Sequence, residues 1–351
     1  MRIVGALDLH RQQITYKWID QESGELGRGR ITPAAREPLR AWLERFDGLN
    51  AHFALEGTTG WRFVVEELER AGLVAHLAEP AETAARRGRK RAKTDKSDCD
   101  HICELLRLGH LPESWIAPAH ILELRTLARL RTTLLDERTA WQQRLQAQLF
   151  QQGAPPGLKL RSSAGRARLS ELDLSPAGRQ LLNTGLRRID DLDGELAPLD
   201  RQLSTIARCQ AGCRALTAAL FGVGPLISVA IVAELGDCRR FANADQAVGY
   251  SGLDITVYAS DSKRAPGHLS HQGPSLLRWA LFEAAVCASR RTSPDHAYYQ
   301  TVANRIDHNR ACLAVARKLC RRAYHLLREL GADAIAPAEI TRQSEPLPHA
   351  A

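Results

Sequence analysis

Nothing in this chain pairs cysteines at the spacing of a zinc ribbon. Of eight cysteines, the closest pairs, Cys99/Cys103 and Cys209/Cys213, stand four apart. That is helical i,i+4 spacing rather than the two-residue gap of a zinc ribbon, so reduced, buried thiols are expected. No basic leader followed by an apolar core opens the sequence, which predicts a cytoplasmic protein rather than a secreted one. No long repeat recurs along it. One charge-free run, Ala215 to Ala233, has the length of a membrane span, but Gly222, Gly224 and Pro225 interrupt it. A buried helix pair is the better reading.

What is present is an ordinary globular composition, 44% hydrophobic and 25% charged, with a formal net charge of +8 over 351 residues. The length allows two cored domains, and the charge favours polyanionic partners. "RIVGALDL" and "ITYKWID" read as a strand hairpin, and "LRAWLERF" as a helix. "HFALEG" reads as a strand, "WRFVVEELERAG" as an amphipathic helix and "LVAHLAE" as a further strand. The order β-β-α-β-α-β, then a basic loop and a helix, predicts a mixed α/β domain over residues 1–115.

From Ile121 to Phe150 the pattern is helical. After a Gly- and Pro-rich break, Leu192, Leu196, Leu199, Leu203 and Ile206 recur at alternating four- and three-residue steps, a coiled-coil seam weakened by Gly194 and Pro198. Residues 116–211 are therefore expected to form a helical coiled-coil arm, packed on itself or on another copy. Residues 212–330 read as a mostly helical C-terminal domain, and 331–351 as a disordered tail.

Candidate chemistry starts at the acids. Asp8 ends the first strand and Glu56 a middle strand. Asp95 and Asp98 open the helix after the basic run Arg86, Arg87, Arg89, Lys90, Arg91, Lys93. Two carboxylates about 4 Å apart repel by roughly 4 kcal/mol at a surface-like dielectric, so something positive should compensate. Each acid alone has a plain alternative: Asp8 as a turn residue, Asp95 and Asp98 as helix N-terminal acids behind a Thr94 cap. Together, on converging segments, they would suit a hard divalent cation, Mg²⁺ or Mn²⁺. The basic run can meet nucleic-acid phosphates, or be a solvated loop.

"FGVGP", Phe221 to Pro225, has the pattern of a helix-hairpin-helix turn, in which Gly222 and Gly224 free the backbone and the following helix start can hold a phosphate. A plain helix–helix turn fits equally well. No nearby His–Asp pair marks Ser260, Ser262 or Ser270 as a nucleophile, so the residues alone leave them as polar loop residues.

"GALDLH", "ALEGTTGW" and "KTDKSDCDHICELLRLG" resemble the three signature blocks of the DEDD, RuvC-like nuclease domain. They are most similar to the version found in insertion-sequence transposases of the IS one-ten family and the related Piv invertases. Farther on, "GVGP", "AVGYSGL", "SDSK" and "GHLSHQGPSLLR" resemble the blocks of that family's C-terminal transposase domain, and "ACLAVARKLCRRAYHLL" its closing helix. Cys99 stands where the family often has Ala. Asp261 and Ser262 replace two glycines, and His271 replaces a lysine.

The resemblance implies an RNase H-like (RuvC-like) α/β N-terminal domain whose metal ligands and catalytic acids are Asp8, Glu56, Asp95 and Asp98. It implies a serine nucleophile at Ser260, with Ser262 the alternative, and phosphate contacts from Lys263, Arg264 and Arg278. It further implies a DNA recombinase working on donor and target duplexes in the bacterial nucleoid. A structured noncoding guide RNA and a homo-oligomer, dimer or tetramer, would be its partners, and no membrane would be involved. A water-using junction resolvase, a DNA invertase and a non-catalytic scaffold are the rival readings.

Overall fold

In a computed structural model of the chain, residues 1–86, 95–256, 259–260, 263–264 and 267–338 are described, with Asp95, Lys96, Ala259, Ser260, Lys263 and Arg264 described by backbone alone. The chain divides into two compact units, Met1–Ile116 and Ala117–Ala351.

The first unit is built on a sheet. β1 (Ile3–Leu9), β2 (Ile14–Asp20) and β3 (Leu26–Ile31) form an antiparallel meander. β4 (Ala51–Glu56) and β5 (Val74–Ala78) extend it on the other side, both parallel to β1, in the order β3-β2-β1-β4-β5. Parallel neighbours need crossovers, and α1 (Arg36–Leu43) and α2 (Trp61–Arg70) supply them. After β5 come α3 (Pro80–Ala85) and α4 (Asp95–Arg107). This mixed sheet fits the RNase H-like expectation. The predicted order lacks one strand, β3, whose sequence LGRGRI places glycine at every other position facing the aromatic side of the sheet.

Strand alternation sorts the sheet into two faces. Ile3, Leu7, Phe53 and Leu55 pack with Leu39, Trp42 and Leu43 of α1 and Val64, Val65 and Leu68 of α2. Val4, Ala6 and Ala54 turn the other way, against Cys99, Ile102, Cys103 and Leu106 of α4. The small residues on that face let α4 come close: the Cys99 Sγ is 3.2 Å from the Ala6 carbonyl oxygen and the Cys103 Sγ 3.7 Å from that of Val4.

In the second unit, α5 (Ala119–Gln151), α6 (Ser163–Glu171) and α7 (Pro176–Cys209) come first. α5 and α7 run antiparallel, with Arg131 paired to Asp200 at 2.5 Å and Arg138 to Asp193 at 2.6 Å. One further step of seven along, Leu145 lies against Gly185. Leu192, Leu196, Leu199 and Leu203 are buried, whereas Ile206 is half-buried. The helix runs through Pro198. The Gly- and Pro-rich break between the two long helices is shorter than expected, because α6 forms within it behind a Ser162 cap whose hydroxyl accepts from the Gly165 N–H.

α8 (Ala211–Ala219) and α9 (Pro225–Leu235) are the two halves of the charge-poor run. α9 is buried from Ser228 to Leu235, and its one acid, Glu234, meets Arg129 through both carboxylate oxygens at 2.8 and 2.9 Å. No described helix is long and apolar enough to cross a membrane.

Next come α10 (Ala244–Tyr250) and four two-residue strands, β6 (Ile255–Thr256), β7 (Ala259–Ser260), β8 (Lys263–Arg264) and β9 (His268–Leu269). α11 (Ser275–Val286), α12 (His296–Arg305) and α13 (His308–Leu330) complete the helices. Of the tail expected to be disordered from residue 331, residues 331–338 are described and the rest lies outside the described residues. Gly331–Ile335 forms a 3-10 turn with Ala334 and Ile335 buried, because Gly212 has no side chain and admits the Ala334 carbonyl. His120 bonds the Ile335 carbonyl at 2.6 Å.

Candidate active site and nucleic-acid interface

The strand register decides where the first two acids go. β1 and β4 pair in parallel through Leu7↔Leu55, and Asp8 and Glu56 are the next residues on each strand. They share parity with Ala6 and Ala54, so both belong to the α4 face of the sheet. On α4, Cys103 lies over Val4 and Cys99 over Ala6. Four residues of helix rise about 6 Å and two of strand about 6.6 Å. Continuing that match brings the first turn of α4, which carries Asp95 and Asp98, level with Asp8. The register thus brings Asp8 and Glu56 to one sheet edge, on the face that the helix bearing Asp95 and Asp98 covers.

Asp8 is mostly buried, and its Oδ2 lies 3.1 Å from the Nε2 of His10. That neighbour was not singled out in the sequence, although it stands in the same "DLH". Asp98 accepts from the Ser97 hydroxyl at 3.3 Å. The Asp95 side chain lies outside the described residues, as do Thr94 and the basic positions Arg87, Arg89, Lys90, Arg91 and Lys93. Arg86 is described and exposed, and it donates to the His110 carbonyl. Among the described residues no three His, Cys, Asp or Glu side chains gather closely enough for a metal ion. The donor set as a whole, carboxylate oxygens only, fits a hard divalent cation.

In the second unit, the hairpin turn between α8 and α9 treats its two glycines differently. Gly222 has φ +85°, and a Cβ there would sit 2.5 Å from the Ala284 carbonyl oxygen, so its bareness serves packing against α11. Gly224 caps α9 with open space around it.

Ser260 sits in the two-stranded sheet of β7 and β8, separate from that of β6 and β9. Ile255 pairs with Leu269 and Thr256 with His268; Ala259 pairs with Arg264 and Ser260 with Lys263. Serine and lysine are therefore cross-strand partners. Ser262 lies outside the described residues.

The segment that carries β6 and β9 is tied down. Ser270 donates to Asp254. A Cβ on Gly273 would fall 1.8 Å from the Tyr250 carbonyl oxygen. The Arg278 Nη1 donates to the carbonyls of Ser251 and Gly273 at 3.2 and 3.3 Å, so that nitrogen braces two turns. The Arg240 guanidinium lies between Phe241 and Tyr250, 4.1 and 4.3 Å from the ring centres.

Both halves have known counterparts. A DEDD transposase model matches residues 5–153, and a model described as "Transposase IS116/IS110/IS902 family" matches residues 214–300. The chain carries transposase domains of the IS110/IS116/IS902 family. All four acids lie in the first matched stretch, and Ser260 lies in the second.

The chain is also 24% identical over 283 residues to a "Probable family 20 transposase" of Pseudomonas aeruginosa, covering 78% of this chain and 83% of the relative. To the "Transposase for insertion sequence element IS1111A" of Coxiella burnetii it is 23% identical, covering 65% of each. With a Sinorhizobium fredii protein carrying the transposase name y4rJ it shares 28% identity over 62% of this chain. The match spans 60% of that relative, so for two of the three it covers less than two thirds of their length.

Proposed function

We propose that the chain is the transposase of an insertion sequence, cutting and rejoining DNA by phosphoryl transfer. The observation that carries this reading is the level, same-face placement of Asp8 and Glu56, opposite the helix that opens with Asp95 and Asp98. These four carboxylates would hold Mg²⁺ or Mn²⁺, which when bound polarises the scissile phosphate and acidifies the attacking hydroxyl. His10 orients the Asp8 carboxylate through its 3.1 Å contact.

Ser260, or Ser262 beside it, is the nucleophile. A serine Oγ–phosphorus bond forms as a phosphorus–deoxyribose oxygen bond breaks, and the leaving oxygen takes up the proton that the serine gives up. The covalent ester conserves the bond energy for rejoining. Lys263 and Arg264, on the strand paired with that of the serine, would hold phosphates, with Arg278 bracing the turns at Ser251 and Gly273. The run from Arg86 to Lys93 and the open N-terminus of α9 at Gly224 would contact the DNA or RNA backbone.

Partner choice follows from the same chemistry. A noncoding guide RNA would supply sequence recognition by base pairing, while the protein reads backbone and shape. The α5–α7 pair, whose leucines at alternating four- and three-residue steps are already buried within one chain, supports a coiled-coil arm packed on itself, and a homo-oligomer would form through other surfaces.

The test uses the full chain, RNA transcribed from the flanks of its gene, and a plasmid carrying the element junction. Reactions stopped and digested with protease should yield peptide-linked DNA with Mg²⁺ and none with chelator. Asp8→Asn should lower the yield by at least about 10²-fold, and Ser260→Ala should abolish the adduct. Cleavage without an adduct, unchanged in Ser260→Ala, would make the protein a water-using endonuclease instead.

A further inference from the structure

On the α4 side of the sheet a cleft of about 240 Å³ opens beside β2, β3 and α4. Its lining includes Thr15, Lys17, Arg28, Arg30 and Asp100. The register places these groups in two rows. Asp8, Thr15 and Arg30 are successive cross-strand partners, and Ala6, Lys17 and Arg28 form the next row. Directly opposed residues of an antiparallel pair project to the same side. Three cations and a hydroxyl therefore share the face of Asp8. With strands about 4.8 Å apart, the Arg30 backbone lies about 10 Å from that of Asp8.

Two features indicate an anion rather than a salt-bridged surface. Thr15 lines the cleft yet is only 8% exposed, and its hydroxyl has no hydrogen-bond partner among the described residues. A buried hydroxyl left in this state favours an acceptor that completes it. The cations are also only partly neutralised. Lys17 and Arg28 both approach the Asp100 Oδ1, at 2.9 and 3.0 Å, without forming an aligned hydrogen bond to it. Arg30 has no partner among the described residues. The lining carries three positive charges against one negative, in a space that admits a phosphate with part of its sugar.

We propose that this cleft is a subsite for a backbone phosphodiester of the DNA strand engaged at the carboxylates. Thr15 donates to a phosphate oxygen and Arg30 pairs with it. Lys17 and Arg28 exchange part of their contact with Asp100 for the incoming anion. The proposal rests on the reading that this face handles DNA and adds the track by which the strand leaves the acids.

The test measures binding of the full chain, in chelator, to a labelled duplex of about 30 base pairs and to an RNA of the same length, over a series of KCl concentrations. Each phosphate contact contributes about 0.9 to the slope of log affinity against log salt. Arg30→Ala should reduce the duplex slope by about one unit and weaken binding at least about threefold. Thr15→Val keeps shape and β-branching while removing the orphan hydroxyl. It should leave the melting temperature equal or higher yet weaken duplex binding about threefold. Duplex slope and affinity unchanged in both variants would overturn the subsite. So would a loss confined to RNA, which would assign the cleft to a different strand.

Plasmid cleavage reports separately on the acids. Cleavage that survives Asp8→Asn, together with a reduced slope in Arg30→Ala, would sink the transposase chemistry and leave the subsite standing.

Discussion

Glu67 illustrates at residue scale how this chain affords buried charge. Its side chain is fully buried on α2. Arg40 reaches its two oxygens at 2.5 and 2.9 Å, and Arg36 adds a contact at 2.6 Å. The Arg40 hydrogen bonds hold the carboxyl at about 2, against a burial effect that pushes it upward, with Arg36 assisting. A depressed carboxylate contributes stability that is present above its unfolded value, near 4.5, and lost as pH falls through the folded one. Glu67→Gln should therefore cost about 1–3 kcal/mol in urea unfolding at pH 7. Both arginines are partly exposed and can turn to water, which keeps the cost below that of a fully buried pair. The gap between wild type and variant should narrow as pH falls from 4.5 toward 2. A gap that stayed constant over that window would remove the ion pair as its cause.

At the scale of elements, glycines in the long helix α7 make opposite predictions from one sequence letter. A Cβ on Gly194 would meet open space, so Gly194→Ala should gain close to the full helix preference, about 1 kcal/mol. A Cβ on Gly185 would fall 2.7–2.8 Å from three carbons of Leu145, itself in the core between α5 and α7. Overpacking costs about 1–3 kcal/mol and outweighs the helix gain. Gly185→Ala should thus lower the midpoint of thermal unfolding while Gly194→Ala raises it; equal shifts in one direction would contradict the α5–α7 register.

The same sensitivity to neighbours explains what could be read in advance. β1, β2, β4 and β5 are legible because alternation and branched residues mark them, and the acids at the ends of β1 and β4 follow. β3 is not legible. Its Gly27 and Gly29 resemble a loop, yet they are bare because Trp18 and Tyr16 of β2 lie where their Cβ atoms would be, 2.1 and 2.5 Å away. Overlooking β3 also hides Arg28 and Arg30, whose place beside Asp8 exists only once the strand pairs. His10 was missed for a simpler reason, since a single exposed histidine carries no pattern. Gly222 reads as a phosphate-turn glycine, but a helix distant in sequence uses its space.

At the scale of the whole molecule, the eight thiols show one rule operating in both units. Six of them, Cys99, Cys103, Cys213, Cys238, Cys312 and Cys320, are buried, whereas Cys209 and Cys287 are half-buried. Burial pushes the thiols of Cys213, Cys238 and Cys320 up to about 12 and that of Cys103 to about 11. Cys99 is raised further in the same direction. The thiolate is the reactive form, so these groups are inert near neutrality and act as small apolar fillers under α4, α9 and α13. A thiol reagent at pH 7.5 should label the native chain rapidly at no more than Cys209 and Cys287, and all eight positions after urea unfolding. Rapid labelling of Cys99 or Cys103 would mean that α4 leaves the sheet in solution. The acids it carries would then be brought to Asp8 and Glu56 only on binding nucleic acid or metal. Protection of both thiols would mean that the sheet edge is assembled before either arrives.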